Sequence, residues 1–238
     1  MKKRHQGIPQ EVLKLIACIT MLIDHFGAAI VLSLPVPNVV QWYYACRIIG
    51  RTAFPIYCFL LVEGMRHTRN PKNYITRLGI GILLAELPFD LLFEGGFSWE
   101  YQSVMVTLTL GAGMLLCMGK TEKKWLKLLL VLPFAAAAEL ANCDYGGWGI
   151  AMIAAFAFLD RLPMQLFGLL LVNFLMDSAA VPLLGMAVPI QLFAVLAMVP
   201  IAFYSGKKIT HSKGMQWAFY LFYPVHLLVL WMILLILR

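Results

Sequence analysis

Charge is what this chain has least of. Only 13% of its 238 residues are charged while 61% are hydrophobic, and a soluble domain carries about 25% charged residues. Apolar runs recur from Leu13 almost to the last residue, which leaves no soluble domain of useful size and makes the chain an integral membrane protein. The runs are continuous rather than alternating in segments of about ten residues, which favours helices over a β-barrel. Among motifs, no CxxC joins the five cysteines (Cys18, Cys46, Cys58, Cys117 and Cys143), so they read as small buried hydrophobes rather than as a metal or disulfide set. There is no GxSxG nucleophile, no HExxH metal site and no glycine-rich phosphate loop, which argues against a serine acyl-enzyme, a zinc hydrolase and an NTPase. The net charge of +7 sits in short clusters between apolar runs, not on one polar face, so nucleic acid is not the expected partner; the lipid bilayer is.

The apolar runs predict an all-α membrane protein forming one integral-membrane domain over residues 1–238. It is a polytopic bundle of about nine transmembrane helices, at 13–33, 39–65, 74–93, 103–119, 125–141, 147–160, 163–177, 188–204 and 216–237. Several are short, kinked or re-entrant. The pair meeting at Asp160, Arg161, Leu162 and Pro163 is expected to be tight and tilted. The start, MKKRH before an apolar run, resembles a signal peptide, yet Asp24 and His25 interrupt the run and no small-residue cleavage site follows. An uncleaved first helix is expected.

Lys and Arg fall on alternate sides of these spans. Lys2, Lys3 and Arg4, then the loop with Arg66, Arg69, Lys72 and Arg77, then Lys120, Lys123, Lys124 and Lys127, then Lys207, Lys208 and Lys213 all become cytoplasmic. The opposite loops agree, with acids at Glu94, Glu100 and Asp144 and no bases; Arg238 is a mild exception. The expected location is a plasma membrane, multi-pass, with the N-terminus in the cytoplasm.

Against this apolar background the ionisable residues stand out. Arg47 and Arg51 are four apart on an otherwise apolar helix, so they share one face and form one positive site. Each costs about 2.5 kcal/mol or more at bilayer depth unless it meets a partner or a ligand. One reading is a structural pair with Asp24, Glu86 or Asp90; the other is a site for an anion, or for negative charge that develops during a reaction. Pro55 follows at once and is expected to kink the span beside a cavity.

Lys14 and His25 are eleven apart, three helical turns, so they return to nearly one face about 16 Å apart in depth. Asp24 points about 100° away and is expected to pair with another helix. Glu86 and Asp90, again four apart around Pro88, suggest counter-ions for the arginines or, as a rival reading, a proton or cation relay. The cytoplasmic cluster of Arg66, His67, Arg69, Lys72 and Arg77 reads either as positive-inside topology or as a cradle for phosphates. In the last span Tyr220, Tyr223, Pro224 and His226 point to an aromatic belt or to a bend that lines something polar.

KLIACITMLIDHFG, RIIGRTAFPIYCFLLVEGMRHTRNPKNYITRL, AELPFDLL, AFYSGKK and FYLFYPVHLLVL together resemble the TraX family, bacterial membrane proteins named for acetylating the amino terminus of conjugative pilin. That family is similar in turn to the type 3 membrane acyltransferases. The larger group has a basic residue, ten intervening positions and a histidine in its first span, which Lys14 to His25 matches. It also has two intramembrane arginines separated by two residues, where RIIGR separates Arg47 and Arg51 by three.

The resemblance implies an acetyltransferase of the bacterial cytoplasmic membrane that uses acetyl-CoA as donor. Lys14, Arg66, Arg69, Lys72 and Arg77 would hold the donor. His25 would be the base, Arg47 or Arg51 would stabilise the oxyanion, and Asp24 would complete the catalytic set. Glu63, Glu86, Asp90, Tyr220, Tyr223 and His226 are candidates on the substrate side. The acceptor would be an amine or hydroxyl, on a pilin-like peptide or an exported glycan. The alternatives are a proton-coupled transporter using Glu86, Asp90 and His25, and a non-catalytic membrane assembly factor.

Overall fold

The computed structural model describes residues 7–176, 178–183, 185–209 and 212–237. The basic cluster Lys2, Lys3 and Arg4, and Arg238, lie outside the described residues. The helices are α1 (Gln10–Ala29), α2 (Val39–Gly50), α3 (Ala53–His67), α4 (Pro71–Phe93), α5 (Val104–Met118), α6 (Lys124–Leu129), α7 (Val131–Leu140), α8 (Gly146–Phe158), α9 (Leu162–Leu175), α10 (Met198–Ala202) and α11 (Lys213–Leu237). Among the described residues, three stretches are long and apolar enough to cross a membrane: Gln10–Ser33, Val39–His67 and Gly214–Leu237. Four shorter apolar helical stretches, Val104–Met118, Gly146–Phe158, Leu162–Leu175 and Ile190–Ala202, accompany them.

Prolines account for the breaks. Pro55 cannot donate to the carbonyl four residues back, that of Arg51, and the span expected at 39–65 is two helices that part at Arg51 and Thr52. The same arithmetic puts Pro133 against Leu129, where α6 ends and α7 begins after Leu130. α4 opens on Pro71 at its first position, with the Asn70 side chain capping the backbone N–H of Asn73 at 3.1 Å. The helix expected over 188–204 is not continuous. Ala180–Leu183 (β1) pairs antiparallel with Met186–Pro189 (β2), turning through Gly185 at φ +78°, and a 3-10 stretch Ile190–Ala197 leads into α10. Apolar content alone does not separate a strand from a short helix, and Pro182 and Pro189 bar a helix through this segment.

α1 packs on α2, α3 and α11, α11 packs also on α4, and α8 sits against α3, α5, α7 and α9. Its centre is formed by Leu13, Ala17, Ile56, Cys58, Met114, Ile150 and Met152, all buried. Outward-facing Leu132, Phe167, Phe174 and Ile236 are exposed in the isolated chain, as lipid-facing side chains are. The loops rich in Lys and Arg gather at one end, where Ile8 bridges to Tyr204 and Arg66 reaches Asp160. At the other end Gln102 bridges to Cys143.

Small residues set the closest helix approach, as they do where lipid supplies no hydrophobic drive. A Cβ at Gly27 would strike Cys46, and one at Gly50 would strike the carboxylate of Asp24. Gly50→Ala is therefore expected to lower the detergent melting temperature sharply. Gly79→Ala, where an added Cβ meets nothing within 4 Å, should leave it unchanged or raise it slightly. Parallel melts of the two variants check this.

Candidate functional site

Asp24 lies between two guanidiniums. Arg47 donates through Nη1 to Oδ2 at 2.6 Å, and Arg51 donates through Nη2 to Oδ1 and Oδ2 at 2.7 and 2.8 Å. Nε of Arg51 also donates to the carbonyl of Arg47 at 3.3 Å. Of the three candidate counter-ions it is Asp24 that meets the arginines. One carboxylate is thus shared between two guanidiniums. Each guanidinium has five N–H donors, so neither is exhausted by Asp24. Glu86 instead accepts from the backbone N–H and hydroxyl of Ser103, and Asp90 from the backbone N–H of Ser98.

His25 meets His226 of α11. Its Nδ1 lies 2.7 Å from Nε2 of His226, and the rings stack at 5.0 Å between centroids and 8° between planes. The tautomers follow from the next bond. Nδ1 of His226 is 2.7 Å from the carbonyl of Phe222, which only accepts, so that nitrogen carries the proton. In a neutral ring Nε2 of His226 then accepts from Nδ1–H of His25, and Nε2 of His25 is left with its lone pair.

Asp24, His25, Arg47 and Arg51 line one cavity of about 380 Å³, together with Phe54, Tyr57, Phe89, Phe93, Glu94, Tyr101, Asp144 and Tyr145. This cavity lies toward the end with the acidic loops. Tyr145 stacks on Phe54 at 3.8 Å and lies 5.9 Å from the Arg51 guanidinium. It holds a left-handed backbone at φ +65° ahead of α8, a conformation a bulky residue keeps only when its surroundings enforce it. Asp144 in the same turn accepts from the Tyr101 hydroxyl at 3.0 Å. Burial pushes its carboxyl above the ordinary range, against the pull of Arg51 and of the Tyr101 hydroxyl.

A second cavity of about 590 Å³ lies toward the basic end, lined by Lys14, Cys18, Glu63, His67, Tyr74, Arg77, Lys208, Phe219, Tyr220 and Tyr223 among others. Lys14 sits 5.3 Å from the Phe219 ring, and Nε of Arg77 is buried without a hydrogen-bond partner. Met21, Tyr57 and Val104 line both cavities.

The structure thus brings His25, Asp24, Arg47 and Arg51 together with His226 behind them, and Lys14, Arg77, Glu63, Tyr220 and Tyr223 around the second cavity. It does not bring in the rest. Arg66 is held by Asp160 at 3.0 Å and by the carbonyl of Ala157 at 2.8 Å. Arg69 and Lys72 are exposed at the same end, and neither they nor Glu86 and Asp90 line either cavity. Sequence reasoning passed over Tyr57, Tyr101, Asp144 and Tyr145 as site residues. The signal for the last two was an acid followed by an aromatic and two glycines, CDYGG, in a loop otherwise read only for topology.

Residues 9–234 match the family described as TraX protein. The chain belongs to the TraX family. It is also similar to "Probable fimbrial assembly protein FimC, serogroup H1" of Dichelobacter nodosus, at 31% identity over 235 residues that cover 92% of each chain. No solved structure matches this TraX-family chain.

Asp24→Asn would leave two guanidiniums facing a neutral amide. The expected cost is about 3 kcal/mol or more of stability. Arg47→Ala should cost less, because Arg51 still binds both carboxylate oxygens. Denaturant or thermal titration of the purified variants in detergent checks the order.

Proposed function

We propose that this TraX-family protein is a membrane-embedded acetyltransferase. It moves an acetyl group from cytoplasmic acetyl-CoA to an amine or hydroxyl acceptor by direct transfer, in the cytoplasmic membrane of a bacterium, with its N-terminus inside. The observation that carries the reading is the histidine pair, which leaves Nε2 of His25 as an unprotonated nitrogen on a ring that lines the arginine cavity.

The basic-end cavity fits the donor. Lys14, Arg77 and Lys208 offer cations to its phosphates, and the buried Nε of Arg77 is an N–H in want of an acceptor. Tyr74, Phe219 and Tyr220 offer aromatic faces to its apolar parts.

The donor supplies an acyl thioester: the acceptor nitrogen or oxygen bonds to the acyl carbon, the C–S bond breaks, and coenzyme A leaves as its thiol. His25 takes the proton from the acceptor at Nε2 and returns it to the departing sulfur, so the ring ends as it began. His226 fixes the tautomer and orientation of His25 through Nδ1. Arg47 and Arg51, held in place by Asp24, face the negative charge that grows on the acyl oxygen. No nucleophilic serine or cysteine is needed.

The name of the relative from Dichelobacter nodosus supports a place in fimbrial assembly, with a pilin-like peptide as acceptor ahead of an exported glycan. A proton-coupled carrier is the weaker reading, because the carboxylates it would rely on, Glu86 and Asp90, line neither cavity.

Coenzyme A release by detergent-purified protein, with an amine-terminated peptide as acceptor and binding scored separately, tests the proposal. His25→Ala should bind acetyl-CoA as the wild type does and lose turnover by roughly 100-fold or more. His226→Ala should lose less and shift the pH profile of kcat, as a positioning residue would. If neither wild type nor His25→Ala binds acetyl-CoA, the proposal is wrong.

A further inference from the structure

Tyr57 has no part in the transfer itself, yet it stands where the two cavities meet. With Met21 of α1 and Val104 of α5 it lines both. Met21 and Val104 are apolar and buried, so the Tyr57 hydroxyl is the polar group among these three side chains. That hydroxyl lies 3.3 Å from the sulfur of Cys18, and either atom can be the donor. Cys18 lines the basic-end cavity and not the other, which puts the hydroxyl on the acyl donor's side of the junction. A thiol is a weak partner for a phenol, and the hydroxyl can exchange it for a better acceptor.

The depth of the hydroxyl matches a particular group of the donor. Cys18 and His25 are seven residues apart on α1, about 10 Å along its axis. In a coenzyme A thioester the amide of the pantetheine arm nearest the sulfur has its carbonyl carbon five bonds from the acyl carbon, about 6 Å in an extended chain. His25 reaches the acceptor atom over about 3 Å, and that atom is the one that bonds to the acyl carbon. With the acyl carbon in place for His25, the amide comes to the depth of Cys18 and of the hydroxyl beside it. There it has left water for an apolar passage and needs a partner in the protein.

We infer that the Tyr57 hydroxyl donates a hydrogen bond to the carbonyl of this amide, and so recognises the donor by its pantetheine arm. The inference rests on the acyltransferase reading of the same site. The bond also sets how far the arm advances, because a carbonyl held at Tyr57 leaves the acyl group in the arginine cavity, which His25 lines. A thioester without the amide would bring nothing to the junction that could pair with the hydroxyl.

The test measures the binding of coenzyme A, and of an analogue with methylenes in place of that amide, to detergent-purified wild type, Tyr57→Phe and Cys18→Ala. The readout is the ratio of the two dissociation constants, which needs no turnover. Wild type should bind coenzyme A about tenfold or more tighter than the analogue, and Tyr57→Phe should bring the two within about twofold. Cys18→Ala keeps the hydroxyl and should keep the wild-type ratio. A side chain that served packing alone would weaken both ligands alike and leave the ratio unchanged. If wild type binds the two ligands equally, or the preference survives in Tyr57→Phe or vanishes in Cys18→Ala, the role of Tyr57 is overturned and the acyltransferase reading stands. If wild type binds neither ligand, both are overturned.

Discussion

A carboxylate and an imidazole on consecutive residues of an apolar helix must each find a partner, and they leave the helix about 100° apart. Asp24 turns to α2 and the break after it, where Arg47 and Arg51 close on it. His25 turns to α11, where His226 meets it. Two buried polar contacts thus tie the first helix to the second and to the last. Neither can be broken singly without leaving a charge or a ring nitrogen unpaired at bilayer depth. Gly27 and Gly50 permit the close approach these contacts need, and Pro55 ends α2 where Arg51 must turn inward.

The same constraint gives the site its chemistry. Pairing with Asp24 holds the two guanidiniums in place while leaving donors to spare, so in the proposed transfer they would stabilise a developing oxyanion without reorganising. Pairing with His226 commits Nδ1 of His25 and leaves the lone pair of Nε2 free, the arrangement that the proposed base role requires. In the proposed reaction the two cavities would let donor and acceptor enter from opposite ends.

Much of this was legible before any coordinates. The four-residue spacing of Arg47 and Arg51, the eleven-residue spacing of Lys14 and His25 and the orthogonal placement of Asp24 all follow from helix geometry, and the structure places these residues accordingly. What sequence could not supply were partners far apart in the chain. His226 is 201 residues from His25, and an isolated histidine near Pro224 reads equally well as a bend or a belt. Glu86 and Asp90 had the right charge and spacing for the arginines, yet their nearest donors proved to be Ser103 and Ser98 in the adjacent loop. The span expected at 188–204 takes in the end of the second strand, Val188 and Pro189, and the 3-10 stretch after it, because apolar composition does not separate these forms. Tyr57, one aromatic among many, is distinguished only by the two cavities it separates.

The account stands most directly on transfer across the bundle, and sealed proteoliposomes test it. Acetyl-CoA is supplied only outside, an amine-terminated acceptor peptide is trapped only in the lumen, and the peptide is recovered for mass spectrometry. The account predicts acetylated peptide in the lumen, made by molecules whose basic end faces out. Acetylation that appears only when donor and acceptor share one compartment would contradict it.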